Sequence, residues 1–217
     1  DPADDDLFVF LGDYIDRGSR SPDVVDWLIS FQQSFPQTVF LRGNHEQMLL
    51  EAVHSVLRKS TGSSLYDHLD TWGKGMPNSV YNFISCGGTE TLAAYSKSQK
   101  DFDPCKVLTE IPEIHLCFFN QTHYFFEYQQ FFFVHAGVDP SDMFGEKNGF
   151  DAFIWERKPL WKRDSAWDKI VVHGHTPVAV SYFDELEINL DTGAGYGSRL
   201  TACDVLTRQV WQTAFRD

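Results

Sequence analysis

Four short apolar segments of this chain each end beside a residue of a type that binds metal ions. These residues are Asp13, Asn44, His135 and His175, and a glycine precedes or closely follows each of them. Apolar runs of this length without an internal breaker are typical of strands buried on both faces. The pattern therefore predicts an α/β protein in which ligand-type side chains follow buried strands.

Convergence of these four residues on one point is the expected consequence of such a fold. Ligands of open α/β sheets bind outside the carboxyl ends of the strands, so we expect the strand ends of one sheet to lie side by side. One carboxylate, one amide and two imidazoles form a mixed ligand set that suits Mn, Fe or Zn better than Ca. Either histidine alone would more often be a hydrogen-bonded structural residue, but four such coincidences favour a metal site.

The segment LFVFLGDYIDRG, residues 7–18, contains two further charged side chains, Asp16 and Arg17. Charges beside the end of a buried strand are costly unless other groups compensate them. A metal ion for Asp13, a polar partner for Asp16 and an anion for Arg17 would do so. The segment is either an ordinary polar loop or part of a site for a metal and an anion, and the recurrence of the pattern favours the site.

The net charge of −13 over 217 residues limits the partners of this chain. It argues against a nucleic-acid backbone or an anionic membrane surface as the main partner. No apolar run reaches the ~18 residues of a membrane span. The four cysteines form no C-x-x-C pair, so we expect reduced, mostly buried thiols in a cytoplasmic protein. Because no linker is visible, we predict one domain over residues 1–217.

The helix signals divide the chain into regions. Ser21, as a cap residue, and Pro22, as the first helical residue, predict the start of a first helix. A second helix is predicted over about 46–58. Residues 59–122 carry the weakest chemical signals, and we interpret them as a helical insertion. The aromatic side chains of 123–134 are assigned to the core rather than to stacking on bases.

The motifs GDYIDRG, RGNHE, VHAG and GHTP, in that order, resemble those of the PPP-type metallophosphatases in the calcineurin-like phosphoesterase superfamily. The resemblance implies a four-layer α/β/β/α metallophosphoesterase sandwich with a helical insertion. It also implies two divalent metal ions, with Mn²⁺ expected and Fe or Zn as alternatives. Asp13 would bridge the two ions, and the shell of the second ion would be completed by Asn44, His135 and His175.

The same resemblance implies the remaining roles. The histidine of GNHE acts in the family as general acid or as donor to the leaving oxygen, paired with the second aspartate of GDxxDRG; these are His45 and Asp16 here. Arg17 and Arg157 match the arginines of the family that hold the substrate phosphate. Two metal ions lower the pKa of a bridging water. We therefore expect direct attack of a metal-bridging hydroxide on phosphorus and no phosphoenzyme.

One motif of the family, D-x-H-G, is missing. It supplies an aspartate and a histidine to the first metal, and the twelve residues before Asp13 contain no D-x-H. We interpret the chain as N-terminally incomplete, without a βα unit on the order of 30 residues or more. The chain as given is then expected to hold at most one metal ion well and to have little activity.

Several motif residues bear on the substrate. Asp16 and Glu46 favour a phosphoprotein or a small phosphomonoester, as for a bacterial-type serine/threonine phosphatase. Diadenosine tetraphosphatases look similar in the segment DTGAGYGSRLTA, residues 191–202, and are the first alternative, although they tend to have GNHD and usually lack the second aspartate. A catalytically inert phosphate-binding relative is the alternative from another class. A nuclease is disfavoured because Pro177 stands where those enzymes usually have a second histidine.

Overall fold

The computed structural model describes residues 6–60, 71–72, 76–97, 100–139, 142, 145–146, 149–157 and 168–214. The chain forms two compact units. The helical unit takes its described residues from 6, 13–37 and 45–122, and the sheet unit from 7–12, 38–44 and 123–214. The chain therefore passes from the sheet unit into the helical unit within both the GDYIDRG and the RGNHE motif.

Short strands and helices alternate along the first part of the chain, as predicted. In chain order the described elements are β1 (Val9–Phe10), α1 (Ser21–Ser34), β2 (Val39–Phe40), α2 (Asn44–Ser60), β3 (Thr71–Trp72), β4 (Met76–Pro77), α3 (Asn78–Phe83), a π-helical turn (Ile84–Gly88), α4 (Thr89–Tyr95), α5 (Pro104–Glu110), α6 (Glu113–Gln121), β5 (Phe125–Tyr128), β6 (Phe131–Val134), α7 (Asp151–Trp155), β7 (Ile170–His173), β8 (Tyr182–Phe183), β9 (Glu187–Asn189), a 3₁₀ turn (Ala194–Tyr196), β10 (Thr201–Asp204) and β11 (Gln209–Gln212).

In the helical unit, α1 lies against both α4 and α6. The inward faces of these helices are apolar, and the fully buried side chains include Val25, Leu28, Leu92 and Phe119. Ser21 does not cap α1 as predicted. It lies inside the helix, and its buried hydroxyl contacts the hydroxyl of Thr91 at 3.0 Å. The Ser21 hydroxyl therefore bonds to Thr91 of another helix instead of capping its own helix, as the sequence pattern had indicated.

The sheet unit is built around β6, which is buried along its whole length. The five-stranded sheet has the order β5-β6-β7-β9-β8, and β6, β7 and β9 are parallel. Successive side chains of β6 pack on opposite faces: Phe132 against Phe153 of α7, and Phe133 in a cluster with Leu41 and side chains of β1. Full burial of each such side chain contributes about 1.5–3 kcal/mol. The aromatic side chains of β6 are thus core, as predicted, whereas those of β5 are largely exposed, so the prediction is wrong for that half of the segment.

Two expectations about the fold are wrong. The predicted ligands do not follow strands of one sheet, because β1 and β2 form a separate two-stranded parallel sheet. Alternation of strands with helices predicts parallel strands but not which of them pair. The cysteines are free thiols, but none is buried: Cys86 and Cys117 are exposed, while Cys105 and Cys203 are partly exposed. Cys117 is exposed on α6 because His115, Phe118 and Phe119 occupy the buried face of that helix.

Among the described residues, no helix has the length and the apolar composition needed to cross a membrane.

Candidate active site

Predicted site residues have an unusual backbone conformation. Six non-glycine residues of the described chain have positive φ angles, namely Asp13, Asp16, Arg17, Gln129, His175 and Arg208. Four of them are predicted site residues, and the other two lie in the turns of β-hairpins. The left-handed conformation costs roughly 1–2 kcal/mol for each such residue. It persists where surrounding contacts fix it, which is common at functional sites.

In the helical unit, three of these strained residues donate their backbone N–H groups to specific acceptors. Asp13 donates to Oε2 of Glu46 at 2.9 Å, and Asp16 donates to the hydroxyl of Thr91 at 2.8 Å. Arg17 donates to the carbonyl oxygen of Gly87 at 3.1 Å. The conformation of the GDYIDRG loop is therefore set by residues far away in the sequence.

Glu46 has a structural role that its place in the GNHE motif does not reveal. Its side chain is fully buried, and its two carboxylate oxygens accept the N–H groups of Asp13 and Tyr14 at 2.9 and 2.7 Å. Hydrogen bonds to a charged group are stronger than neutral ones. Glu46 thus fixes the backbone from which the Asp13 side chain projects.

His45 and Asp16 form a buried pair. Nδ1 of His45 lies 2.5 Å from Oδ2 of Asp16, and Oδ1 of Asp16 accepts the hydroxyl of Thr91 at 2.7 Å. Burial raises the pKa of Asp16, and the hydrogen bonds from His45 and Thr91 offset part of that rise. Burial also lowers the pKa of His45. The hydrogen bond to Asp16 and the charges of Asp13 and Asp16 outweigh it, so the pKa of His45 lies above its usual value.

Arg17 contacts the opposite side of the His45 ring, with Nη2 at 3.1 Å from Nε2. A guanidinium group only donates hydrogen bonds, so Nε2 accepts in this arrangement and the ring hydrogen lies on Nδ1, facing Asp16. The cluster joins a guanidinium group to an imidazole that a buried carboxylate orients. Such a cluster can bind a phosphoryl group and exchange a proton beside it.

The Asp13 side chain is less enclosed than this pair, with 24% of its surface exposed. Its Oδ1 lies 3.3 Å from the backbone N–H of His45, in the first turn of α2. The carboxylate therefore keeps an accessible face with which it can bind a cation.

In the sheet unit, three predicted metal ligands lie together. Nε2 of His135 is 3.2 Å from Oδ1 of Asn44 and 3.1 Å from Nδ1 of His175, and all three side chains are buried. Nδ1 of His135 lies 2.7 Å from the carbonyl oxygen of Leu11. A carbonyl oxygen only accepts, so Nδ1 carries the hydrogen, and Nε2 of the neutral ring presents its lone pair to the other two ligand atoms.

This arrangement of atoms fits a metal ion. An imidazole lone pair facing an amide oxygen is repulsive unless a cation lies near both, and His135 and His175 belong to a group of side chains able to hold one. Histidines that bind metals usually donate their other N–H to a carbonyl or a carboxylate, as His135 does to Leu11. The donor set is therefore suited to a transition-metal ion.

Gly12 allows the ends of β1 and β2 to approach this cluster. Its φ angle is +95°, and a Cβ atom at this position would lie 2.7 Å from the backbone nitrogen of Gly43 and 2.8 Å from Nδ1 of His135. Both the angle and the space exclude a side chain. The glycine before Asp13, the first predicted ligand, is thus required by packing around His135.

Arg157 lies at the edge of the His135 and His175 cluster. It is exposed, and its Nη1 lies 3.5 Å from the carbonyl oxygen of His175. The neighbouring His173 is not part of the cluster, because its Nε2 faces Glu187 and its Nδ1 donates to the carbonyl of Gly174. Burial lowers the pKa of His173 to about 4. His173 is therefore a neutral core residue.

Each unit brings together part of the predicted site. The helical unit collects Asp13, Asp16, Arg17 and His45, and the sheet unit collects Asn44, His135, His175 and Arg157. The structural part of Glu46 and the contacts of Gly87 and Thr91 were not foreseen. The strand-end pattern gives no signal for them, although the Gly87-Gly88 pair marks a turn where backbone groups approach closely.

Comparison with known proteins gives a family match over most of the chain. The family described as calcineurin-like phosphoesterase matches residues 1–198. The serine/threonine-protein phosphatase rdgC of Drosophila melanogaster is 41% identical over 59 residues, which are 27% of this chain and 9% of that protein. The serine/threonine-protein phosphatase PP2A-like PPG1 of Candida albicans is 32% identical over 87 residues, 38% of this chain and 19% of that protein. The matches thus span under a fifth of each relative.

A solved structure supports the fold over nearly all of the chain. It is described as that of "a putative diadenosine tetraphosphatase", and it aligns with a TM-score of 0.62 over 96% of this chain and 80% of its own. The sequence identity is 17%, so this likeness bears on the fold alone.

Proposed function

Because the chain belongs to the calcineurin-like phosphoesterase family and has the metallophosphoesterase fold, we propose that it is a metal-dependent phosphoric monoester hydrolase that acts as a serine/threonine protein phosphatase. The contact of Arg17 with a His45 ring that Asp16 orients is the observation that carries the proposal. It combines a binding group for phosphate with a proton donor for the leaving oxygen.

The metal ligands in this proposal are those that the sequence predicts. Asn44, His135 and His175 would hold one divalent ion, and Asp13, which directly follows Gly12 in the chain, would bind it and bridge to a second. We expect Mn²⁺, since a mixed oxygen and nitrogen set suits Mn, Fe or Zn. When bound, the ions would supply a water of lowered pKa as the nucleophile and would neutralise charge on the phosphoryl oxygens.

The residues of the chain have separate tasks in this reaction. Arg17 and Arg157 bind the phosphoryl oxygens, a task for which the planar guanidinium group is suited. Binding of phosphate draws Arg17 away from Nε2 of His45, and this nitrogen then takes up a proton from solvent, which the raised pKa of His45 favours. The protonated ring gives that proton to the departing alkoxide. Asp16 holds the ring through Nδ1 throughout. No serine, cysteine or aspartate nucleophile is required, so no phosphoenzyme is formed.

The presence of Asp16 favours a monoester with a basic leaving group. A serine or threonine alkoxide needs a proton to depart, so an oriented acid contributes most for such substrates. The alternative, hydrolysis of a dinucleoside tetraphosphate, expels a much weaker base and needs the pair less. The two relatives described as serine/threonine-protein phosphatases agree with a phosphomonoester substrate.

Three substrates, assayed side by side with Mn²⁺, test this proposal: para-nitrophenyl phosphate, a phosphoserine peptide and a dinucleoside tetraphosphate. We expect a higher kcat/KM for both monoesters than for the dinucleotide. Preferred cleavage of the dinucleotide would replace the proposal with the diadenosine tetraphosphatase alternative. Phosphopeptide binding without turnover of any substrate would identify an inert phosphate-binding relative.

A further inference from the structure

We propose that Thr91 of α4 is a positioning residue for the Asp16–His45 pair, and this inference rests on the proposed function. Thr91 is fully buried and lies 75 residues from Asp16 in the sequence. Its hydroxyl contacts Asp16 twice, once at the backbone N–H and once at the carboxylate. No other side chain described here contacts both the backbone and the carboxylate of Asp16 in this way.

The hydrogen-bonding capacity of the Thr91 hydroxyl is fully used. A hydroxyl has one hydrogen and two acceptor sites. The hydrogen goes to Oδ1 of Asp16 at 2.7 Å, because a carboxylate only accepts. The oxygen accepts the N–H of Asp16 at 2.8 Å and the hydroxyl of Ser21 at 3.0 Å. Every bond therefore has one permitted direction, and the hydroxyl cannot rotate without losing one.

This saturation fixes the direction of the Asp16 carboxylate. With Oδ1 held by Thr91, Oδ2 is left to face Nδ1 of His45 at 2.5 Å. Without the hydroxyl, the N–H and Oδ1 of Asp16 would both lose a partner in a buried place, and the carboxylate would turn to find another. The His45 ring would then lose the contact that keeps its hydrogen on Nδ1.

The helix that carries Thr91 is itself anchored one turn later. Tyr95 donates its hydroxyl to Nδ1 of His115 at 2.8 Å, and Nε2 of His115 donates to Asp26 at 2.9 Å. These directions follow because the carboxylate of Asp26 only accepts, which leaves Nδ1 as the acceptor for Tyr95. Since Asp26 lies on α1 and His115 on α6, α4 is tied to both helices. These hydrogen bonds hold α4, and with it Thr91, in a fixed position relative to α1 and α6.

The segment just before Thr91 holds the neighbouring residue of the loop. Gly87, in the π-helical turn, has a φ angle of +111° and accepts the N–H of Arg17 at 3.1 Å. A Cβ atom on Gly87 would lie 3.1 Å from Cγ of Arg17. Residues 87–91 therefore fix both Asp16 and Arg17, two strained residues with proposed roles in the reaction.

Leaving-group dependence separates positioning of an acid from general stability. The test compares the hydrolysis rates of two substrates. The serine alkoxide that leaves a phosphoserine peptide must be protonated, whereas the leaving group of 2,4-dinitrophenyl phosphate is a weak base and needs no proton. Thr91→Val should lower kcat for the peptide ~10- to 100-fold, the usual cost of losing a supporting hydrogen bond. KM and the rate on dinitrophenyl phosphate should stay near wild type, and Thr91→Ser should restore the peptide rate.

Ser21→Ala is the matched control, because it removes a buried hydroxyl from the same cluster without touching Asp16. It should lower thermal stability but leave the ratio of the two rates unchanged. An equal fall of both rates in Thr91→Val, or no fall in either, would overturn the inference. If Thr91→Val does not fold, Thr91→Cys is used in its place. Cysteine has a similar side-chain volume, and its thiol is only a weak hydrogen-bond donor.

A measurement on the metal-free protein separates this inference from the proposed function. The Nδ1–H of His45 should give a far-downfield proton resonance, assigned by its loss in His45→Asn. We expect it to shift or broaden away in Thr91→Val and to remain in Thr91→Ser and Ser21→Ala. An unchanged resonance in Thr91→Val would overturn the positioning role. If this pattern is found but wild type hydrolyses no phosphomonoester, the proposed function fails and the positioning stands.

Discussion

A His45→Asn variant is expected to lower kcat for a phosphoserine peptide by roughly 10²–10⁴-fold, the range that general acid catalysis contributes. Asparagine can place its amide nitrogen near the position of Nδ1 and so keep a donor for Asp16. It has no atom at the position of Nε2, from which the proton is delivered. KM should change little, because the arginines that bind phosphate remain. Steady-state kinetics of phosphate release measure both constants.

His54→Asn is the control for this substitution. His54 lies on the same helix, α2, with an exposed side chain outside the proposed site, so the same chemical change should leave kcat unaltered. A His45→Asn enzyme with the kcat of wild type would exclude His45 as the general acid. A fall in both variants would point to disturbance of α2 rather than to loss of a proton donor.

A His135→Gln variant is expected to lose Mn²⁺ binding, with an affinity more than ~100-fold below wild type. Losing a supporting contact of a ligand costs ~10- to 100-fold in affinity, and His135 is itself the residue whose Nε2 faces both Asn44 and His175. Isothermal titration calorimetry of Mn²⁺ binding to the metal-free proteins gives the affinity. Atomic emission after dialysis gives the number of ions bound.

His123→Gln is the matched control, since His123 is an exposed histidine of the same unit. It should bind as wild type does. We expect one well-held ion in wild type, because Asp13 alone is assigned to the other. Two tightly held ions would contradict that assignment, and unchanged binding by His135→Gln would remove His135 from the ligand set.

Local signals in the sequence were enough to locate the strands that precede the predicted ligands. Each apolar run before Asp13, Asn44, His135 and His175 ends within a strand or one residue after it. A strand that is buried on both faces consists of consecutive apolar residues, so the sequence shows where it lies. The pairing of these strands was not foreseen. Whether β1 and β2 join the larger sheet depends on contacts between distant segments, which periodicity does not record.

The hydrogen bonds that hold the GDYIDRG loop and the His45 ring could not be predicted from the sequence either. Thr91 and Glu46 hold left-handed residues of the loop, yet no pattern in the sequence indicates these contacts. The contact of Arg17 with Nε2 of His45 was likewise not foreseen. Each case depends on a hydrogen bond between residues more than twenty-five positions apart, and such bonds leave no periodic trace.

The most direct test of the central claim is the release of inorganic phosphate from a phosphoserine peptide by the metal-free protein, before and after addition of Mn²⁺. We expect no release before addition, release that rises with Mn²⁺ and stops with a chelator, and none in His135→Gln. The rate can be low, so its dependence on the metal is the decisive quantity. Release that does not depend on metal or chelator, or cleavage of a dinucleoside tetraphosphate in place of the peptide, would contradict the proposed metal-dependent protein phosphatase activity.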